Sequence, residues 1–249
     1  MHATGAIDFL SLFTFSNRKG RGVGPRPHNP AIWLRKSVAA SRRCSARSGE
    51  HVLLRSRDVT TPSRSAAPEL QTERLVLRAP SQADLGFLAG INQDPEVMKF
   101  MPGLMSVDDT RRQLEGMLQH FRDHGFGVWV AVRKGTDDCV GIVGLKRVDL
   151  DVPFAPSVEI AWRLARSQWG KGYAAEAACE VLRFGFERLA LEQIVGFTVP
   201  RNRRSIAVFE RLRMRPDPAF DFEHPKLPAG HELRPHVFYR IERAEMPRS

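Results

Sequence analysis

The 249-residue chain is poor in cysteine and has no long apolar run. Its three cysteines, Cys44, Cys139 and Cys179, are odd in number and lack paired spacing, which argues against a disulfide framework and against a zinc site. This usage fits a reducing compartment such as the cytoplasm. No stretch reaches the roughly 18 apolar residues that a membrane span needs, so we expect no transmembrane helix and no membrane partner.

The sequence also lacks the motifs of metal-dependent and serine hydrolases. His120 and His124 are spaced as in zinc proteases, but Phe121 stands where a glutamate must follow the first histidine. We therefore interpret both histidines as exposed residues near a helix end and predict no metal site. No G-x-S-x-G motif is present, so no serine nucleophile is indicated.

Acidic residues are scarce in residues 1–68, which carry 12 Lys and Arg but only three Asp and Glu, a net charge of +9. Because the whole chain carries +10, only +1 remains for residues 69–249. The basic character belongs to an N-terminal extension, so nucleic-acid binding is not expected of the folded domain. The extension is interpreted either as a disordered tail or, from its Arg-rich and Ser-rich composition, as an organellar targeting segment.

Hydrophobic periodicity predicts one mixed α/β domain over residues 69–245, followed by a short tail at 246–249. Strands are predicted at 75–78, 128–132, 139–145, 158–164, 193–199 and 237–241. Helices are predicted after Ser81, from Asp94, from Ser106 to His124, from Tyr173 to about Leu189, and after Asn202. The second and third of these strands are predicted to form a hairpin.

The loop between the strand at 158–164 and the helix at Tyr173 carries the clearest chemical signal. Gly170 and Gly172 flank Lys171 directly before the helix. Glycines let successive N–H groups turn toward one point, and a helix N-terminus adds unpaired donors and partial positive charge. This combination predicts an anion cradle suited to a pyrophosphate. It is not the dinucleotide fingerprint, because Ala175 stands where the third glycine belongs.

A wider pattern surrounds this loop between Val158 and Arg215. It consists of Glu159-Ile160-Ala161-Trp162, then Trp169-Gly170-Lys171-Gly172-Tyr173-Ala174-Ala175-Glu176-Ala177, and Asn202-x-x-Ser205, with Thr72-Glu73-Arg74-Leu75-Val76-Leu77-Arg78 upstream. In this order and spacing the chain resembles the GNAT superfamily of acetyl-CoA-dependent N-acetyltransferases, and looks most like the ribosomal-protein N-terminal acetyltransferase branch. The resemblance implies a mostly antiparallel, twisted sheet of six to seven strands, flanked by about four helices and splayed at the coenzyme site.

The resemblance also assigns candidate site residues. The strand that bears Glu159 is expected to splay from the strand at 193–199, with the pantetheine arm of acetyl-CoA in the gap. The expected coenzyme-binding residues are Trp162, Arg163, Leu164, Trp169, Gly170, Lys171, Gly172, Tyr173, Ala174, Asn202 and Ser205. Asn202 is alternatively a simple helix N-cap. Arg201, Arg203 and Arg204 either meet the 3′-phosphate or form a solvated charge run.

The implied reaction is direct attack of a primary amine on acetyl-CoA in a ternary complex, without a metal. Glu159 is the candidate base, and the alternative is that it only binds substrate or stays solvated. No covalent intermediate is needed, so Cys179 is interpreted as a buried helix residue rather than a nucleophile.

The chain departs from the superfamily pattern at two positions. Phe209 stands where many relatives have a tyrosine acid, so either water protonates the leaving thiolate or the thiolate leaves unassisted. This departure keeps open a second reading, an acetyl-CoA-binding regulatory protein that has lost turnover. Arg213 replaces a glycine that is usual near the end of the last helix.

The acceptor remains open among a protein α-amine, a lysine, an aminoglycoside, a polyamine and a small amino compound. The protein is expected to be a monomer or homodimer.

Overall fold

The computed structural model describes residues 67–246 of the chain. Nearly all of the basic extension and the last residues of the tail lie outside the described residues, so the domain boundaries at 68 and 245 stay predictions. Within the described range, no helix is long and apolar enough to cross a membrane.

The centre of the fold is a nine-stranded, mostly antiparallel sheet in the order β1-β2-β3-β4-β5-β6-β9-β7, with β8 paired to β9. The strands are β1 (Leu70–Gln71), β2 (Leu75–Arg78), β3 (Val128–Arg133), β4 (Cys139–Arg147), β5 (Val158–Leu164), β6 (Gln193–Thr198), β7 (Arg215–Pro216), β8 (Phe222–Glu223) and β9 (Pro235–Glu242). The predicted mixed α/β fold is confirmed. Three strands of two residues, β1, β7 and β8, were not predicted, because a two-residue strand shows no periodicity.

Five α-helices flank the sheet in the described part of the chain: α1 (Leu85–Gln93), α2 (Pro95–Met98), α3 (Val107–His124), α4 (Tyr173–Glu187) and α5 (Arg203–Arg211). The start signals read from the sequence are present, since Asp94, Ser106 and Asn202 each cap a helix through a side-chain oxygen. Gly125 ends α3 with a φ of 73°, as expected of a left-handed C-terminal glycine.

Side chains alternate between the two faces of the sheet and thereby fix which helices cover each face. On β3, Trp129 packs in the core beneath α4, whereas Val128 and Val130 pack against α1 and α3. On β5, Ile160 and Leu164 belong to the α4 core. The intervening residues Glu159, Ala161 and Arg163 therefore point to the opposite face, which we call the α3 face.

The burial expected from the sequence is wrong for two side chains, those of His120 and Cys179. His120 is buried, not exposed, because its Nδ1 lies 2.7 Å from the carbonyl oxygen of Phe126 and the N–H of Arg147 donates to its Nε2 at 3.4 Å. Cys179 is exposed, not buried, because α4 turns Ala178 rather than Cys179 toward the core.

Candidate active site

A gap between β5 and β6 opens into a cleft that reaches from the start of α4 to the loop after β8. These strands run parallel, and their pairing is confined, within residues 67–246, to Glu159 and Val195. By contrast, β4 and β5 stay paired from Arg147–Val158 to Gly141–Leu164. Beyond Glu159 the parallel strands separate around a cavity of about 420 Å³. The predicted splay is therefore confirmed.

Nearly all of the residues proposed from sequence surround this one cavity. The lining residues among them are Glu159, Trp162, Arg163, Leu164, Trp169, Gly170, Gly172, Tyr173, Ala174, Asn202 and Ser205. Lys171 is not among the lining residues: its side chain is exposed and its Nζ donates to Gln168 Oε1 at 3.1 Å.

The glycine loop adopts the backbone that its sequence predicts. Gly170 and Gly172 have φ values of 75° and 83°, a left-handed region that side chains disfavour. Gly172 directly precedes α4, so the N–H groups of the first turn, at Tyr173, Ala174 and Ala175, have no partner within the helix and carry partial positive charge. These three residues line the cavity, so unpaired N–H donors and partial positive charge lie at one end of it.

Glu176 anchors this helix end to the segment before β2. Its carboxylate accepts hydrogen bonds from Thr72 Oγ1 at 2.5 Å, from the Arg74 N–H at 2.9 Å and from Arg74 Nε at 2.7 Å. Burial opposes ionisation, but the hydrogen bonds from Thr72 and Arg74 outweigh it and lower the pKa of Glu176. Two separate parts of the sequence pattern, Thr72–Arg78 and the α4 start, thus meet at one ion pair.

Trp169 fixes the loop to the end of β5. Its Nε1 donates to the carbonyl oxygen of Leu164 at 3.0 Å, and the guanidinium of Arg204 lies 4.3 Å from its ring centroid. Of the three arginines considered for the 3′-phosphate, only Arg204 lines the cavity. Arg201 instead pairs with the exposed Glu232 at 2.8 Å.

Asn202 and Ser205 hold the start of α5 against β6. The Asn202 amide donates to Thr198 Oγ1 at 2.9 Å and to Ser205 Oγ at 3.0 Å, while its oxygen accepts the Ser205 N–H at 3.3 Å. The N-cap role weighed for Asn202 is therefore present, and it does not remove Asn202 from the cavity lining.

Phe209 is an aromatic wall of the cleft rather than a polar group. Its ring lies 5.0 Å from that of Trp162 and stacks 4.9 Å from that of Tyr239. A Cβ at Gly196 would meet this ring at 2.5 Å, so only glycine lets Phe209 approach β6. The helix ends at Arg211, and Arg213, two residues later, has a φ of 59°, the conformation for which glycine is usual.

Glu159 is buried on the α3 face, and its Oε2 lies 3.0 Å from Lys146 Nζ on β4. Lys146 was missed from sequence, although the register of the two strands places it opposite Glu159. Burial raises the pKa of Glu159, and Lys146 opposes that shift. A carboxylate whose pKa is raised in a cleft is suited to proton transfer.

Arg163 extends from β5 toward α1. Its Nη1 donates to Asn92 Oδ1, and its Nη2 lies 3.4 Å from Met101 Sδ. Asn92 is itself buried and donates to Thr110 Oγ1 at 3.1 Å and to Gln113 Oε1 at 2.9 Å. Burial lowers the pKa of Arg163 to about 10, which still leaves a cation at neutral pH.

Two histidines that no motif indicated also line the cavity on the α3 face. His224 follows β8 and His236 lies on β9, and their ring centroids are 5.2 Å apart. Burial lowers the pKa of His224 to about 3, with further contributions from His236 and Lys146. Burial also lowers the pKa of His236. Both imidazoles are therefore neutral at physiological pH.

Metal-ligating groups do not converge in the described structure: among residues 67–246, no three His, Cys, Asp or Glu side chains are grouped closely enough to hold an ion.

The family comparison agrees with this architecture. A family model described as an acetyltransferase (GNAT) domain matches residues 74–215, which is more than half of the chain and includes Glu159, the glycine loop and Asn202. The chain belongs to the GNAT acetyltransferase family.

Relatives of this GNAT protein carry acetyltransferase names. It is 30% identical over 187 residues to the FsC-acetyl coenzyme A-N(2)-transacetylase of Aspergillus fumigatus, covering 72% of this chain and 78% of that protein. It is 32% identical over 165 residues to a Bacillus licheniformis protein named uncharacterized N-acetyltransferase p20, covering 63% of this chain and 88% of that protein. The crystal structure of an acetyltransferase from Agrobacterium tumefaciens is 28% identical with a TM-score of 0.60, covering 73% of this chain and 98% of that one. This GNAT protein is accordingly an acyltransferase.

Proposed function

We propose that this GNAT acetyltransferase transfers the acetyl group of acetyl-CoA to a primary amine by direct attack in a ternary complex. The single observation that carries the proposal is the cavity, which joins the anion-binding start of α4 to the buried carboxylate of Glu159 through the gap between β5 and β6. A donor with a pyrophosphate and a long thin arm matches that shape. The name of the Aspergillus relative, which includes acetyl coenzyme A, supports the same donor.

The donor is proposed to bind along the α4 and α5 side of the cleft. The pyrophosphate would meet the N–H groups of the first turn of α4 beyond Gly172. The arm would lie along the separated edge of β5, where backbone groups of residues 162–164 are no longer paired to β6. Asn202 and Ser205 offer polar atoms at the wall opposite that edge.

The acceptor is proposed to arrive from the α3 face. An amine has an ordinary pKa of about 7.7–8.0 for an α-amine or about 10.4 for a lysine side chain, and must lose a proton before it attacks. The Glu159 carboxylate takes this proton, directly or through water. The amine nitrogen then bonds to the thioester carbonyl carbon, and the nitrogen of the tetrahedral intermediate loses its second proton to water. Collapse of the intermediate breaks the carbon–sulfur bond and leaves the amide and the thiolate. Backbone N–H donors at the separated edge of β5 would stabilise the oxyanion.

The leaving thiolate is proposed to take its proton from water or to leave unassisted. Phe209 cannot donate a proton, and the ring is closed in by Trp162 and Tyr239. A cysteine thiol has an ordinary pKa of about 8.5, well below that of an alcohol, so a thiolate is a fair leaving group without an acid catalyst. The same absence of a hydroxyl at Phe209 favours the second candidate, a regulatory protein that binds acetyl-CoA without turnover.

The deciding experiment measures acetyl-CoA binding by calorimetry and thiol release with a panel of amines. The panel includes a peptide with a free N-terminus, because of the resemblance to the ribosomal-protein branch. Amine-dependent thiol release with an acetylated product supports the transferase, and Glu159→Gln serves as the matched low-activity variant. Tight binding with no amine-dependent release would instead support the regulatory protein.

A further inference from the structure

The half of the cavity on the α3 face, which we call the acceptor chamber, has an apolar wall. Phe100 packs against Val199, Leu227 and Leu233, and all four line the cavity. Leu227 and Leu233 come from the loop between β8 and β9, and Phe100 follows α2. Such a wall favours an apolar group on whatever enters, since apolar burial contributes about 25 cal/mol per Å².

Carboxylates are few around this chamber. Among the described residues that line the cavity, the acidic ones are Glu96 and Glu159. Glu159 is already paired with Lys146, and Glu96 is exposed on α2 at the rim. An ammonium group taken into an apolar site needs a carboxylate or several acceptors, because a buried unpaired charge is costly. Inside the chamber, Glu159 is therefore the carboxylate that can meet the reacting amine. Among the described residues, a second ammonium group would find no further carboxylate inside it.

The remaining polar groups of the chamber add no negative charge. His224 Nδ1 accepts the N–H of Lys226 at 3.4 Å, so the proton of the neutral ring lies on Nε2. His236 Nδ1 lies 3.0 Å from the carbonyl oxygen of Arg234, so its proton lies on Nδ1. The guanidinium of Arg163 brings positive charge to the same face of the sheet. A second cationic group would thus meet neutral imidazoles, apolar side chains and a cation.

We propose that the acceptor is a primary amine joined to an apolar or aromatic group and carrying a single positive charge before reaction. This proposal rests on the proposed transferase function and excludes polyamines and aminoglycosides as preferred acceptors. The amine reaches Glu159 and loses its proton there, while the apolar group packs on Phe100, Leu227 and Leu233. A free alkylamine or arylalkylamine and the N-terminus of a peptide that begins with an apolar residue share this chemistry.

The test compares two substrates that differ in one group, hexylamine and 1,6-diaminohexane. The expected kcat/KM is about tenfold or more higher for hexylamine, which corresponds to about 1.4 kcal/mol of differential transition-state binding. Phenethylamine and a tetrapeptide beginning with Phe form two further arms, and their ratio distinguishes a small-molecule source from a peptide source. A kcat/KM for the diamine equal to or above that for hexylamine would overturn the proposal and leave the transferase function intact. Acetylation of no amine would overturn both.

A charge introduced into the wall provides an independent test. Leu233→Glu should narrow or invert the preference for hexylamine over the diamine, because the new carboxylate pairs with the second ammonium. Leu104→Glu is the matched control, since Leu104 is exposed and does not line the cavity. If Leu233→Glu does not fold, Leu233→Ala replaces it and should lower kcat/KM for hexylamine more than for the diamine. If the Leu233 variant changes kcat/KM by the same factor for hexylamine and for the diamine, the wall does not contact the apolar group of the acceptor.

Discussion

The ammonium of Lys146 lies 3.0 Å from the carboxylate of Glu159, and both side chains are largely removed from solvent. The two residues face each other across β4 and β5, so the pair is fixed by strand register. Burial raises the pKa of Glu159, and Lys146 opposes that rise by stabilising the ionised carboxylate. This balance is the electrostatic basis of the proposed reaction.

Replacing Glu159 by Gln should lower kcat by about 10²- to 10⁴-fold, the usual contribution of a general base. The KM for acetyl-CoA should change little, because the donor is proposed to lie on the other side of β5. In the native enzyme, kcat/KM should fall as pH drops through the raised pKa of Glu159, since protonation removes the base. Glu115→Gln, on the exposed face of α3, is the matched control. A Glu159→Gln enzyme with native kcat would exclude the carboxylate as base.

Replacing Gly172 by Ala should destabilise the protein by about 1–2 kcal/mol, because an L-residue is strained at its φ of 83°. The new Cβ would also lie 3.4 Å from Arg74 Nη2. The loop would shift, and the KM for acetyl-CoA should rise. Gly86→Ala is the control: it lies in α1 with open space around its Cα and should be neutral or stabilising. Urea denaturation measures the change in stability, and steady-state kinetics measures the KM for acetyl-CoA. If Gly172→Ala leaves this KM as unchanged as Gly86→Ala does, the assignment of the loop as an anion cradle is contradicted.

Replacing Arg213 by Gly should stabilise the protein by about 0.5–1 kcal/mol, because relief of the left-handed strain exceeds the entropy cost of glycine. The residue is exposed and its φ is 59°. By contrast, Ala207→Gly, in the middle of α5, should cost about 1 kcal/mol. Thermal and urea unfolding of the two variants measure this difference. Destabilisation by Arg213→Gly would mean that its side chain makes a contact worth more than the strain.

The buried His224 should make the protein sensitive to acid. In the unfolded chain its pKa is near 6.5, whereas in the folded protein burial, His236 and Lys146 lower it to about 3. Between these values the unfolded chain binds a proton that the folded protein does not, so the free energy of unfolding falls as pH falls through this window. When the pH falls from 7 to 5, the free energy of unfolding should therefore fall by about 2 kcal/mol less in His224→Asn than in the native protein. Urea midpoints at the two pH values measure this, and an identical pH dependence would exclude His224.

The sequence by itself determined the helices and longer strands and the backbone of the proposed donor half of the cleft. Local rules suffice there: Gly170 and Gly172 supply the left-handed backbone, Asn202 caps α5, and alternation along residues 158–164 predicts β5. These features depend on neighbours a few residues apart, so spacing alone reveals them.

Only the tertiary structure decided the acceptor half. Lys146 meets Glu159 through strand register, Arg163 meets Asn92 across 71 positions, and His224 and His236 reach the chamber from a hairpin that no motif marks. The same limit explains the errors at His120 and Cys179, whose burial depends on which turn of a helix faces the sheet. The proposed donor site depends on backbone conformation, which local sequence encodes. The proposed acceptor site depends on side chains brought together from distant segments, and their shared pocket exists only once the sheet has formed.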